Sequence, residues 1–326
     1  DSTALWRFSV DQREKFWRTV IEFCGLTADT WGERDSVDAD QLPGAKWFPD
    51  ARFNFAENLL KRRDDGEALV FWGEDKVRRR MTFAELYDAV SQFAQALRAE
   101  GVKPGDRVAG YLPNMPEAII SMLAAASLGA TWSSCSPDFG LQGVLDRFGQ
   151  IEPKVLIASD GYFYNGNTHD VRKKIADLVG RVPSIQRVVV VPYASTEPNI
   201  SSIRDAVELS DFVGNFTPVD IHFEQMPFDH PLYILYSSGT TGQPKCIVHE
   251  AGGMLLKHAV EQVAQFSIGP DSKVFWFTTL GWMMWNWLAS NLAWGATLLL
   301  YDGSPFYPDG NVLWDFAAQE NMTLFG

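Results

Sequence analysis

The chain has 326 residues, 46% of them hydrophobic and 21% charged, which is ordinary for a globular protein with a large core. Its 41 acidic and 28 basic residues give a formal net charge of −13. That argues against nucleic acid and an anionic membrane surface as partners, because both are held by Lys and Arg neutralising phosphate. A polyphosphate ligand would need a local device, backbone N–H groups with Mg²⁺, instead of a basic surface.

Cys24, Cys135 and Cys246 are odd in number and far apart. They read as free thiols in a reducing compartment, expected to be the cytoplasm, and not as a disulfide framework or zinc site. No run of about 18 apolar residues could span a bilayer. The sequence starts without Met and stops inside an apparent strand at 322–326, so it reads as a piece of a longer protein.

Residues 1–62 are rich in Trp, Phe and Asp and read as an irregular wrapping segment with one helix over 11–23. Residues 63–220 read as a first α/β unit. It starts with a strand at 68–72. Thr82-Phe-Ala-Glu85 is a capping box, in which a hydroxyl and a carboxylate each satisfy an orphan N–H. The helix it opens places Phe83, Leu86, Tyr87, Val90, Phe93, Ala94 and Leu97 on one face and ends at Gly101. A strand follows at 107–112, then Pro116 at the first position of a helix that runs to Leu128. Strands near 131–135, 155–158 and 187–191 alternate with helices at 140–150 and 170–180. Residues 192–231 read as a long connection. Residues 221–326 read as the start of a second α/β unit. The rhythm predicts an α/β fold of mostly parallel sheets flanked by helices in two subdomains.

Residues 232–236 form a short apolar run that predicts a buried strand. Ser237, Ser238, Gly239, Thr240, Thr241 and Gly242 come next, four hydroxyls and two glycines in six residues. Glycines let successive N–H groups point into one concavity, an anion nest, and the hydroxyls add donors and a possible Mg²⁺ ligand. Lys245, after Pro244, places a positive charge beside it. A Walker A loop needs G-x-x-x-x-G-K-[ST], which the spacing here breaks, and a dinucleotide fold needs a G-x-G that the chain lacks. The plain alternative is a flexible Ser/Gly hairpin. His249 is either a substrate contact or a structural histidine, and Cys246 has no paired base that would make it a nucleophile.

The whole segment Tyr236-Ser-Ser-Gly-Thr-Thr-Gly-Gln-Pro-Lys245 resembles the signature of the adenylate-forming superfamily. The stretches 6–17, 101–108 and 113–118 resemble its acetyl-CoA synthetase branch. Within that branch, Asn54-Phe-Ala-Glu-Asn-Leu-Leu60, Ser133-Ser-Cys-Ser-Pro-Asp-Phe-Gly140, Lys245-Cys-Ile-Val-His249 and Gly281-Trp-Met-Met-Trp-Asn-Trp287 resemble the members that activate acetoacetate. The resemblance implies the large N-terminal domain of that fold, with a C-terminal domain beyond this chain, so the piece alone is expected to be incomplete. It implies ATP, Mg²⁺ and CoA as cofactor and co-substrates. Ser237 to Gly242 and Lys245 would hold the ATP phosphates, with Lys245 and Thr241 in catalytic roles and Thr241 reaching Mg²⁺. Trp282, Met283, Met284, Trp285 and Asn286 would wall the acyl pocket, although plain core packing also accounts for Trp and Met. Asn286 is the candidate donor to a ketone oxygen. Residues 162–167 depart from the branch where CoA-contacting arginines are expected. Open alternatives are a synthetase for acetate, propionate or another short acid, and an inactive nucleotide-binding module.

Overall fold

A computed structural model describes residues 1–237 and 242–326. The chain opens with helices α1 (Ser2–Asp11) and α2 (Arg13–Phe23). The helix expected over 11–23 is α2; α1, which the sequence reading left out, precedes it and buries none of its residues, although Phe8 meets Phe16 of α2 edge-to-face at 5.9 Å. A two-stranded ribbon, β1 (Ser36–Val37) with β2 (Lys46–Trp47), leads to the short helix α3 (Phe55–Leu59). The Asn54 side chain caps α3 by accepting the Glu57 N–H at 3.2 Å.

Strands β3 (Glu67–Gly73) and β4 (Val77–Thr82) are followed by α4 (Phe83–Ala99). The capping box is formed: Thr82 Oγ1 accepts the Glu85 N–H at 3.1 Å, and Glu85 accepts the Thr82 N–H at 2.8 Å. Then come β5 (Arg107–Tyr111), α5 (Pro116–Ser127), β6 (Thr131–Cys135), α6 (Leu141–Ile151) and β7 (Val155–Ser159). A hairpin of β8 (Gly161–Tyr164) and β9 (Asn167–Asp170) precedes α7 (Arg172–Arg181) and β10 (Arg187–Val191). The connection expected over 192–231 contains β11 (Ala206–Glu208) and α8 (Leu209–Val213). The remainder is β12 (Pro231–Tyr236), β13 (Cys246–Glu250), α9 (Ala251–Ala259) continuing into a π-helical turn (Val260–Gln265), β14 (Lys273–Phe275), α10 (Met283–Ser290), β15 (Thr297–Asp302), α11 (Val312–Glu320) and β16 (Leu324–Phe325).

Two mostly parallel sheets result. One has the order β11-β10-β7-β5-β6-β12-β13, antiparallel only at the β12–β13 edge. The other runs β16-β14-β15-β3-β4, antiparallel only at β3–β4. Sheet membership does not follow chain order, since β3 and β4 join strands some two hundred residues later while β12 and β13 complete the first sheet. A boundary at residue 220 therefore separates stretches of chain, not sheets.

Alternation along each strand builds the layers. In β3, Leu69 and Phe71 enter the central core with α4 and α5, while Val70 and Trp72 pack against α11. In β10, Val189 and Val191 enter the same central core, while Val188 and Val190 meet α6 and α7. The result is five layers, with a helical layer between the two sheets and a further one outside each. Among the described residues no helix is long and apolar enough to cross a membrane.

Candidate functional site

The start of the aromatic segment and the strand leading into the loop meet near the C-terminal end of β6, the place where open α/β sheets bind ligands, whereas Trp285 and Asn286 lie further back, against Trp132 and Tyr233. The loop after β12 joins it to antiparallel β13, and the Ser237 N–H donates to the Lys245 carbonyl at 3.1 Å, closing its base. Gly242 has φ +112°, a conformation side-chain-bearing residues rarely adopt, so glycine is required there. Gly242 and Lys245 are exposed, and Pro244 between them is half-buried. Ser238, Gly239, Thr240 and Thr241 lie outside the described residues.

The start of the loop is packed against the segment 136–140. Ser133 Oγ on β6 donates to the Ile234 carbonyl at 2.7 Å and lies 3.0 Å from the Tyr236 hydroxyl. Burial pushes the Tyr236 phenol above its ordinary range. The Arg147 guanidinium lies 5.5 Å from the Tyr236 ring and 4.8 Å from the Phe139 ring. Tyr111 donates its hydroxyl proton within this segment, 2.9 Å from both the Pro137 and Phe139 carbonyls, and Lys174 Nζ donates to Pro137 at 2.8 Å.

Phe139 also touches the aromatic segment, because a Cβ on Gly281 would stand 3.2 Å from its ring. Ser134 Oγ donates to the Leu280 carbonyl at 2.8 Å. Arg147, set over both Phe139 and Tyr236, thus links the start of the loop to the ring that faces Gly281. In that segment Trp282 is 65% exposed, while Met283 and Met284 are half-buried. Trp285 is fully buried, stacks on Trp132 with centroids 6.4 Å apart, and donates Nε1–H to Asn114 Oδ1 at 3.0 Å.

Asn286 is 1% exposed, and neither its Oδ1 nor its Nδ2 has a hydrogen-bond partner among the described residues. The Tyr233 hydroxyl faces the same spot; burial raises its pKa and the nearby Asn286 amide offsets part of that. The two are close without hydrogen-bond geometry, and the acceptor Tyr233 reaches is the Met122 sulfur at 3.7 Å. Behind them, Ser290 Oγ donates to the Asn286 carbonyl at 2.9 Å and lies 2.7 Å from His258 Nδ1. That direction puts the proton on His258 Nδ1, and burial holds the ring neutral, its pKa pushed down to about 3.

Sequence reading missed the supports of this helix. The π-helical turn turns Glu261 and Gln262 towards α10: Trp287 Nε1 donates to Glu261 at 3.0 Å, and Gln262 Nε2 donates to the Trp287 carbonyl at 2.6 Å. Also missed was a carboxylate pair. Glu74 accepts N–H groups of Asn165, Gly166 and Ser304 at 2.6, 2.9 and 2.9 Å. Nearby, half-buried Asp302 accepts the Tyr193 hydroxyl at 2.8 Å, and desolvation of its carboxyl pushes it up to about 7. The stretch 162–167 is the β8–β9 hairpin that these carboxylates hold, with Tyr162 stacked on His169 at 4.7 Å.

His249 lies half-buried on β13, with burial pushing its pKa below the ordinary range. Burial raises the Cys246 thiol, the opposite of what a nucleophile needs. Among the described residues no cluster of three or more His, Cys, Asp or Glu side chains could hold a metal. The Mg²⁺ expectation therefore rests on Thr241, outside those residues.

Residues 55–326 match the family described as AMP-binding enzyme. Acetoacetyl-coenzyme A synthetase of Rhizobium meliloti (strain 1021) is 54% identical over 327 residues, covering 100% of this chain and 50% of that protein. Acetoacetyl-CoA synthetase of Danio rerio is 45% identical over 332 residues, 99% of this chain and 49% of its own. Among solved structures, the acetoacetyl-CoA synthetase from Streptomyces lividans superposes with a TM-score of 0.93 at 43% identity, covering 98% of this chain and 49% of that one. The chain spans about half the length of the relatives it matches.

Proposed function

The chain belongs to the AMP-binding enzyme family, and we propose that it is the front part of an ATP-dependent ligase joining acetoacetate to CoA through an acyl-adenylate, with release of AMP and pyrophosphate. The observation that supports the reading is the pair of neighbouring serines on β6: Ser133 donates to the Ile234 carbonyl of the strand that leads into the Gly/Ser/Thr loop, and Ser134 donates to the Leu280 carbonyl at the start of the aromatic segment. A ligase of this kind needs the α-phosphorus and the acid carboxylate within reach of each other. The identity of the acid follows the relatives' names and the unpartnered Asn286 amide.

The acid is ionised at pH 7, so its carboxylate attacks the α-phosphorus without a general base and pyrophosphate leaves. The CoA thiol then attacks the adenylate carbonyl and AMP leaves. What this chain contributes is positioning and charge neutralisation. In this reading Ser237 to Gly242 and Lys245 would hold the β- and γ-phosphates, and the Thr241 hydroxyl would ligate a Mg²⁺ ion that would neutralise phosphate charge. Met283 and Met284 line the acyl site, and the Asn286 amide donates to the ketone oxygen. The free cysteines fit a reducing compartment, and we place the enzyme in the cytoplasm.

The test is pyrophosphate release by the full-length protein with acetate, propionate, butyrate and acetoacetate. Acetoacetate should give the highest kcat/KM. Preference for acetate or propionate would replace the substrate, and ATP binding without acid-dependent release would make the protein a nucleotide-binding module.

A further inference from the structure

We propose that helix α6 is the brace of the phosphate loop, with Arg147 and Gln150 as positioning residues for the ATP polyphosphate. The inference rests on reading 236–245 as that loop.

Among the described residues the far end of the loop, 242–245, has few ties. It runs into β13, the edge strand of the seven-stranded sheet, where Cys246, Ile247 and Val248 are all exposed. An edge strand has a ladder on one side only and is the easiest part of a sheet to shift. Among the described residues, two bonds fix the turn into it. One is Ser237 N–H to the Lys245 carbonyl; the other is Gln150 Nε2 to the Pro244 carbonyl at 2.9 Å. Gln150 stands on α6, outside the hairpin, so its bond ties the loop to the sheet's helical cover.

Arg147, one helical turn earlier on the same face of α6, holds the other end. Its guanidinium sits between Phe139 and Tyr236 and donates once, from Nη1 to the Gly143 carbonyl at 2.7 Å. A guanidinium carries five N–H donors, and among the described residues Arg147 meets no carboxylate within ion-pair distance. A cation held by two rings at the start of a phosphate loop, in a chain of net charge −13, is placed to offset phosphate charge and to fix Tyr236.

The experiment uses the full-length enzyme and its Arg147→Met, Arg147→Lys and Gln150→Ala variants. KM for ATP, KM for acetoacetate and inhibition by added pyrophosphate are measured, with thermal unfolding as a check on folding. Arg147→Met should raise KM for ATP about tenfold, the scale of one charge-assisted contact. Arg147→Lys should recover part of it, and exposed Gln150→Ala, which removes no buried group, should raise it about threefold. Inhibition by pyrophosphate should weaken in parallel while KM for acetoacetate stays within about twofold. Unchanged KM for ATP in both Arg147→Met and Gln150→Ala, or equal changes for ATP and acid, would overturn the brace. A wild-type protein without acid-dependent pyrophosphate release would instead overturn the reading of the loop, a separate result.

Discussion

Replacing Asn286 by Leu separates a functional amide from a structural one. The Asn286 side chain is 1% exposed and both its polar atoms lack partners among the described residues. An unpaired buried polar group costs about 1–3 kcal/mol. Leu has the same branching and the same number of side-chain heavy atoms, so the substitution removes that cost without opening a cavity. The folded protein should therefore be as stable as the wild type, or more stable by about 1 kcal/mol, in urea unfolding of the full-length enzyme. The acid should respond in the opposite sense. A ketone oxygen facing Leu loses its donor, and about 1–3 kcal/mol of lost transition-state binding corresponds to a fall of roughly 5- to 150-fold in kcat/KM. Butyrate, which has no ketone, should be spared or improved. Equal losses for acetoacetate and butyrate would refute the assignment, and so would destabilisation by more than about 1 kcal/mol with no change in selectivity.

Other consequences concern the supports. Asp302 has its carboxyl raised by burial to about 7 from an ordinary 3.8, so the contribution of its protonated form is full below about pH 4 and is lost as pH rises through 7. Asp302→Asn, which keeps an acceptor for Tyr193, should remove a fall of up to about 4 kcal/mol across that window in urea titrations at several pH values. His258 works the other way: its lowered pKa gives a contribution present above pH 6.5 and lost as pH falls through about 3. The two slopes oppose each other between pH 4 and 6.5, so comparison of Asp302→Asn with His258→Gln, not the wild-type profile, reveals each. Trp285→Phe leaves Asn114 Oδ1 without its indole donor beside an Nδ2 already unpaired, and should cost about 1–3 kcal/mol in the same unfolding assay.

Local signals in the sequence carried through where the physics was local. Thr82 and Glu85 form the capping box because both partners lie within one turn. Strands with apolar residues on both faces announced a parallel sheet, yet that same uniformity left their neighbours unreadable. Nothing in the composition of Leu69 or Leu298 says that their strands pair across more than two hundred residues. β4 was hidden because Arg78, Arg79 and Arg80 stand in a row on an edge, where Arg78 donates to the Glu74 and Val77 carbonyls, Arg79 to Glu117, and Arg80 to Glu67 and Glu320. The motif proposed to hold phosphate was readable as a pattern from Gly242, the hydroxyls and Lys245, but the contacts of Arg147 with Tyr236 and of Gln150 with Pro244 were not, since they form only after the sheet is assembled. Asn286 was legible as a candidate by resemblance, whereas its lack of a partner is a property of the packed core. The Glu74 carboxylate binds backbone N–H groups some ninety and two hundred and thirty residues away, contacts without any side-chain pattern.

Oxygen transfer tests most directly whether the reaction passes through an acyl-adenylate. Full-length enzyme is given acetoacetate labelled with ¹⁸O in its carboxylate, together with ATP and CoA, and the nucleotide and phosphate products are weighed by mass spectrometry. Attack of the carboxylate on the α-phosphorus followed by thiolysis leaves one carboxylate oxygen on phosphorus, so AMP should carry one ¹⁸O and pyrophosphate none. Unlabelled AMP, or label in inorganic phosphate released alongside ADP, would contradict it.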